Sequence, residues 1–304
     1  MRIVFMGTPD FAVPSLRELA KRHEVVLVVT RPDAVRGRGR KLVPSAVKAA
    51  ALELGLPVYE AHRADEQMVA TVVAAHPDVV CVAAYGALLP DSLLSCAPYG
   101  CINVHASLLP KGRGAAPIQR ALLDGDELVG VSIMRLVRGM DAGPYCRQAS
   151  LAVGEQNCPE VMARLAELGA QELVVALDEM VSGDAVWVEQ DEAEATYVAK
   201  VEKHEMLLDP ADSVLTNRRR VQASLDAAPA RLSVAGRGLR ALDARVVEDR
   251  VEPGLVCVER RRVMLGCGDG TLELLRVKPD GKREMDVAAW SAGLRGNAIT
   301  WGRA

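Results

Sequence analysis

The sequence predicts an α/β chain in which a mostly parallel sheet is followed by a small all-β barrel. Three observations carry this expectation. The first half alternates short apolar β-type runs with helical patterns, the last third strings together short β-type runs between glycine turns, and half of the 304 residues are apolar. A chain of this length and composition, 25% charged, buries a sizeable core and divides into two domains, which excludes a disordered or fibrous protein.

Residues 2–6 read as the first strand and 10–22 as a helix. Residues 24–30 follow as a strand and 45–54 as a helix stopped by Gly55. A helix is expected over 65–76, ended by Pro77. Residues 78–83 are apolar on both faces, as the centre of a covered parallel sheet requires, and 101–105 continue that sheet. Residues 129–137 and 145–153 are β-type runs joined by a turn at 139–143. A long helix starts near Pro159, with Val161, Leu165, Leu168, Leu173, Leu177 and Met180 on one stripe and Gly183 as its stop. That stripe reads as core.

Residues 190–206 turn acidic and lose periodicity, so they read as a linker between a catalytic domain at 1–189 and a second domain at 207–304. In the latter, runs at 231–234, 239–247, 254–260, 263–265 and 271–277 are punctuated by Gly236-Arg237-Gly238 and Asp269-Gly270, the pattern of barrel hairpins.

Gly7-Thr8-Pro9 follows the first strand, where a dinucleotide-binding protein carries Gly-x-Gly-x-x-Gly. The later glycines are missing and Pro9 removes a backbone donor, so the first domain is Rossmann-like in shape only. No run reaches the roughly 18 apolar residues of a membrane span, and a cytoplasmic protein is expected. Seven cysteines without a Cys-x-x-Cys pair read as reduced core residues. Five scattered histidines show no ligand spacing, so no metal is expected. Residues 207–304 carry 17 Lys/Arg against 13 Asp/Glu, while the rest carries 20 against 27, a weak pointer to a polyanionic partner.

Asn103 and His105 stand two positions apart on a buried strand, so both leave one face while Ile102 and Val104 pack behind them. An Asn at a strand end also caps or turns, a lone His also satisfies a local bond, and Asp141 between two glycines is ordinarily a turn residue. Placed near His105, Asp141 would hold one ring nitrogen and raise the basicity of the other. Ser107 lacks the Gly-x-Ser-x-Gly elbow of a hydrolase nucleophile. Arg31, Arg36, Arg38, Arg40 and Lys41, spaced by Gly37 and Gly39, form a cationic loop that reads either as solvated or as an RNA contact. Arg218-Arg219-Arg220 and Arg260-Arg261-Arg262 leave the same two readings open. Beyond residue 197 the aromatics are Trp290 and Trp301, so base stacking there is nearly unavailable.

The string Asn103-Val104-His105, Ser107-Leu108-Leu109-Pro110 and Arg113-Gly114 resembles the signature of the folate-dependent formyltransferases. The resemblance extends over most of the chain. It includes Met6-Gly7-Thr8-Pro9-Asp10-Phe11, the basic loop at 36–44, Ala84-Tyr85-Gly86 before Leu89-Pro90, Gly139-Met140-Asp141-Ala142-Gly143 and Gly268-Asp269-Gly270-Thr271. It implies an OB-like fold for the C-terminal domain and catalysis by Asn103, His105 and Asp141. It also implies 10-formyltetrahydrofolate as co-substrate, bound by Tyr85, Gly86, Leu89, Ser107, Leu108, Leu109 and Pro110. The branch it is most similar to acts as a monomer on initiator methionyl-tRNA, with Arg36, Arg38, Arg40 and Lys41 on the acceptor end. Arg113 would either anchor its loop or meet a phosphate or the folate glutamate.

Two positions depart from the family pattern. Gly112 stands where the family usually has an aromatic residue, and Asp226-Ala227-Ala228-Pro229-Ala230 replaces an Asn-Pro-x-Pro run. The alternatives are a formyltransferase for a small amine, such as glycinamide ribonucleotide or an amino sugar nucleotide, and a non-catalytic RNA-binding relative.

Overall fold

The computed structural model describes residues 1–36, 41–294 and 299–304. Strand β1 (Arg2–Gly7) leads through a 3-10 turn into helix α1 (Val13–Arg22) and strand β2 (Glu24–Thr30). The hairpin β3 (Ala34–Arg36) and β4 (Lys41–Val43) precedes α2 (Ala46–Glu53), β5 (Val58–Glu60), α3 (Glu66–Ala74), β6 (Val79–Ala83), α4 (Asp91–Leu94) and β7 (Cys101–His105). The helix starts follow from their caps. Ser45 Oγ accepts from Lys48 N at 3.0 Å, and Asp65 Oδ1 from Met68 N at 3.0 Å.

Next come β8 (Arg113–Gly114), α5 (Pro117–Asp124), β9 (Leu128–Arg135), β10 (Tyr145–Ala152), α6 (Cys158–Ser182) and β11 (Tyr197–Val198). The main sheet has the order β10-β9-β7-β6-β1-β2-β5, parallel from β7 to β5 and antiparallel at β9 and β10. All five residues of β6 are buried, which explains its unbroken apolar run, and all five of β7 are buried as well, Asn103 and His105 among them. The strand order reverses between β1 and β6, where an open α/β sheet forms a crevice beyond the strands' C-terminal ends. Thr8 Oγ1 bridges that switch point by donating to Tyr85 O at 3.2 Å.

In the C-terminal part, α7 (Val214–Gln222) precedes β12 (Arg231–Val234), β13 (Arg237–Val247), β14 (Leu255–Glu259), β15 (Arg262–Gly266), β16 (Thr271–Pro279), β17 (Met285–Asp286), α8 (Val287–Trp290) and β18 (Ile299–Gly302). The pairing β13-β12-β18-β14-β15-β16 closes on itself through β13–β16, giving an antiparallel barrel of six strands. Leu232, Leu239, Leu265, Leu272 and Trp301 fill it. Trp301 Nε1 donates to Gly266 O at 3.0 Å, so this ring serves the core.

The chain forms two compact units. One comprises 1–117, 128–152 and 162–198, and the other 118–127, 153–161 and 199–304. The second unit thus takes two short segments, 118–127 and 153–161, from within the stretch expected to form the first domain. Gln119 Nε2 donates to Ala223 O at 2.8 Å, and Gln222 Nε2 to the carbonyls of Gly154 at 3.1 Å and Gln156 at 2.9 Å. The segment 190–198 belongs to the first unit, where β11 pairs in parallel with β8. Among the described residues no helix is long and apolar enough to cross a membrane.

Candidate active site

Asn103 and His105 end β7 on one face, 9% and 6% exposed. The opposite face is closed by α6, whose Gly169 backbone lies so near Val104 that an added Cβ would stand 2.5 Å from Val104 Cγ1. The alternation of the strand therefore turns both polar side chains away from that helix. Among the described residues the Asn103 carboxamide has no hydrogen-bond partner, and its polar atoms are not sealed from solvent.

The imidazole is held by the loop that follows. His105 Nε2 lies 3.0 Å from Gly112 O, and because a carbonyl only accepts, Nε2 carries the proton. Nδ1 then faces Asp141 Oδ1 at 3.7 Å, longer than a hydrogen bond and within reach of an ion pair. Gly112 O thus occupies one ring nitrogen, and the other points at the Asp141 carboxylate.

Asp141 occupies the turn between β9 and β10 with φ of +48°. Its Oδ2 accepts from Gly114 N at 2.9 Å, so residues 112–114 grip both His105 and Asp141. The turn approaches β9 so closely that a Cβ on Gly143 would lie 1.9 Å from Arg135 O, which only glycine avoids.

The gripping loop is anchored from beneath. Arg113 is fully buried. It donates from Nε to Gln190 Oε1 at 2.9 Å, from Nη1 to Tyr197 OH at 2.8 Å, and from both Nη atoms to Glu192 at 2.8 and 3.0 Å. This is the anchoring role and leaves no guanidinium edge for a ligand. Glu192, in turn, is held below the usual carboxylate range by Arg113. A Cβ on Gly114 would meet Val198 O at 2.4 Å, so β8 and β11 pair this closely only through glycine. Gln190 Nε2 also donates to the carbonyls of Asp141 at 2.8 Å and Gly143 at 2.6 Å. Sequence reading missed Gln190 and Glu192 because they lie in the acidic stretch read as linker.

The Ser107-Leu108-Leu109-Pro110 segment leaves β7 directly. Ser132 Oγ donates to Ser107 O at 2.7 Å and accepts from Leu109 N at 3.0 Å, while Gln148 Nε2 donates to Leu109 O at 2.8 Å. Ser107 is 8% exposed, and its hydroxyl oxygen is buried with no partner among the described residues. Leu109 is buried and Leu108 packs over Gly130.

Beyond β6, the Tyr85 ring is buried with Met68, Val72 and Leu93, which pushes its hydroxyl's pKa up. The ring is thus shut away from solvent. Among the described residues the backbone of 87–89 makes no hydrogen bond, whereas Tyr85 O and Gly86 O are taken by Thr8 and Arg31. Of the cationic loop, Arg36 and Lys41 are partners in the backbone register of β3 and β4, and Arg38 and Arg40 lie outside the described residues.

Three of the six arginines in the basic triplets of the second unit are held internally. Arg218 meets Gln222 and Glu155, Arg220 meets Asp212 and the Glu205 carbonyl, and Arg262 meets Glu273 and Asp249.

A family model described as formyl transferase matches residues 1–177, and one described as formyl transferase, C-terminal domain, matches 200–295. The methionyl-tRNA formyltransferase of Methylococcus capsulatus is 42% identical over 292 residues, covering 94% of this chain and 95% of that one. The chain belongs to the formyl transferase family. Two solved structures share its fold. HypX from Aquifex aeolicus, in complex with tetrahydrofolic acid, matches at TM-score 0.67 and 16% identity over 99% of this chain, which spans about half (50%) of HypX. A methionyl-tRNA formyltransferase from Clostridium thermocellum matches at TM-score 0.58 and 14% identity, over 82% of this chain and 95% of that one.

Proposed function

We propose that this chain transfers the formyl group of 10-formyltetrahydrofolate to the α-amino group of initiator methionyl-tRNA, as a monomer in the cytoplasm, with residues 1–189 carrying the chemistry. The observation that carries the reading is the partner-free Asn103 carboxamide beside a His105–Asp141 pair, all three from one chain. The 42% identity to a methionyl-tRNA formyltransferase over nearly the full length supports the choice of acceptor.

In formyl transfer the amine nitrogen bonds to the formyl carbon, an oxyanion forms, the bond from that carbon to N10 of the folate breaks, and a proton passes from the amine to N10. Asn103 can donate to the oxyanion without giving up any protein hydrogen bond, a role worth about 10² to 10³ in kcat. Asp141 accepts the amine proton directly or shares it with His105 Nδ1, where the imidazolium is held by Gly112 O on its other side and the carboxylate on this one. No strong base is needed, because an α-amino group titrates near about 7.7 to 8.0 and esterification lowers it.

Ser107 to Pro110 and the unpaired backbone of 87–89 suit the folate: an orphaned, nearly buried hydroxyl and free amide groups are what a polar heterocycle satisfies. The β3–β4 hairpin, with Arg36 opposite Lys41 and Arg38 and Arg40 in the same cationic run, suits the tRNA backbone. Arg38→Ala combined with Arg40→Ala should raise the KM for tRNA and flatten its salt dependence, with kcat little changed. The deciding experiment offers 10-formyltetrahydrofolate with charged initiator tRNA, charged elongator tRNA and small amines. Formylation should be confined to initiator methionyl-tRNA. Faster transfer to a small amine, or none to any acceptor, would sink the assignment.

A further inference from the structure

Gln190 stands where two fixed pieces of the first unit meet. Two residues upstream, Val188 and Tyr145 exchange both backbone hydrogen bonds, at 2.8 and 3.1 Å, so the chain enters this position in a set register. The carboxamide then works in two directions. Oε1 accepts from the buried Arg113, and Nε2 donates to the carbonyls of Asp141 and Gly143. The partners fix which end is which, since two carbonyls demand the NH₂ group and a guanidinium demands the oxygen.

We propose that Gln190 is a positioning residue of the reaction, setting the backbone of Asp141 and thereby the placement of its carboxylate against His105 and Gly114. This rests on the reading of Asp141 as the group that handles the amine proton. A left-handed φ at a residue other than glycine is strained and persists only when its surroundings impose it. Among the described residues the turn's own backbone bond is Ala142 N to Gly139 O at 3.5 Å, whereas Gln190 supplies two bonds of 2.8 and 2.6 Å from outside. Rotation of the 141 peptide would carry Oδ2 off the Gly114 N–H and Oδ1 away from His105. Because Arg113 also sits between Gly112 and Gly114, one carboxamide ties the loop holding the imidazole to the turn holding the carboxylate.

Gln190→Glu isolates this role. It preserves shape and the acceptor for Arg113, removes the two donors, and sets a carboxylate oxygen against two carbonyls. In the full chain, with 10-formyltetrahydrofolate and initiator methionyl-tRNA, kcat should fall about 10- to 100-fold while both KM values stay within about twofold, the pattern of lost alignment. In an Asp141→Ala background, followed by single-turnover kinetics, Gln190→Glu should cost nothing further, because no carboxylate remains to be placed. A purely structural glutamine would instead multiply the two losses, and that result, or a Gln190→Glu kcat within about twofold of the parent, overturns the proposal. If Gln190→Glu melts early, Gln190→Ala, which removes the donors without adding charge, carries the same comparison. Undiminished turnover by Asp141→Ala alone would strike at the reading of Asp141 instead.

Discussion

The proposed reaction centre and the barrel treat polar side chains in opposite ways. In the barrel unit Arg218, Arg220 and Arg262 are matched by carboxylates or carbonyls, so three of the six arginines in runs that resemble phosphate contacts prove to be structural. At the end of β7, by contrast, an amide and the Ser107 hydroxyl have no partner among the described residues, while their neighbours are tied down. Matched charge holds a fold together. An unmatched polar group on a rigid support is a place for another molecule, so the support and not the group's own bonding marks the site.

The sharpest way to break this contrast is Asn103→Ala. A group with no protein partner should contribute nothing to stability and much to rate, so kcat should fall about 10² to 10³-fold with the melting temperature unchanged. A large loss of stability with modest kinetic change would mean that Asn103 is a core residue.

Glu273 tests the other side. Its carboxylate on β16 is 3% exposed and accepts from Arg262 on β15 at 2.8 Å and Arg245 on β13 at 2.9 Å, a cross-strand clasp. Arg262 and then Arg245 hold its pKa below the usual carboxylate range. Glu273→Ala should destabilise the barrel by about 2 kcal/mol, less than for a fully buried pair because both arginines reach solvent and can rehydrate. The rate of formyl transfer by folded protein should not change. Urea unfolding and initial rates on one preparation check both.

The same contrast explains what the sequence could disclose. Strands 24–30 and 101–105, the helices expected over 45–54 and 65–76 and most barrel hairpins are legible because they are written in local periodicity and turn residues. Helix α7 escapes because Asn217 and three arginines interrupt its apolar stripe, although Asn217 is fully buried and bonded to Asp209. The pairing of β8 with β11 joins residues 84 apart over two positions, too short for any pattern. The packing of 118–127 and 153–161 with 199–304 is likewise a tertiary fact, and a chain cut near Glu205 would strip Gln119, Arg120 and Glu155 of their partners. Asn103 and His105 were readable from their two-residue spacing. The approach of Asp141, the tie through Gln190 and the capture of His105 Nε2 by Gly112 depend on loops meeting in space.

The smallest effect tests matched charge through pH. Arg120 donates from Nη1 and Nη2 to Glu205 at 2.7 and 3.0 Å, and the Glu202 amide adds a bond at 2.6 Å. Arg120 first, then that amide, pulls the Glu205 pKa down to about 2. Since an unfolded glutamate titrates near about 4.3, the native state binds the proton less readily than the unfolded chain. The resulting stability is fully present above about pH 5 and is lost as the pH falls toward 2. Glu205→Gln should therefore cost about 1 to 2 kcal/mol at pH 7, where charge-assisted bonds become neutral ones, and almost nothing near pH 2, where the parent's carboxylate is itself half protonated. The gap between parent and variant in urea midpoints, followed from pH 7 to pH 2.5, should narrow steadily. A gap that stays constant would mean that Glu205 acts through shape and not through its charge.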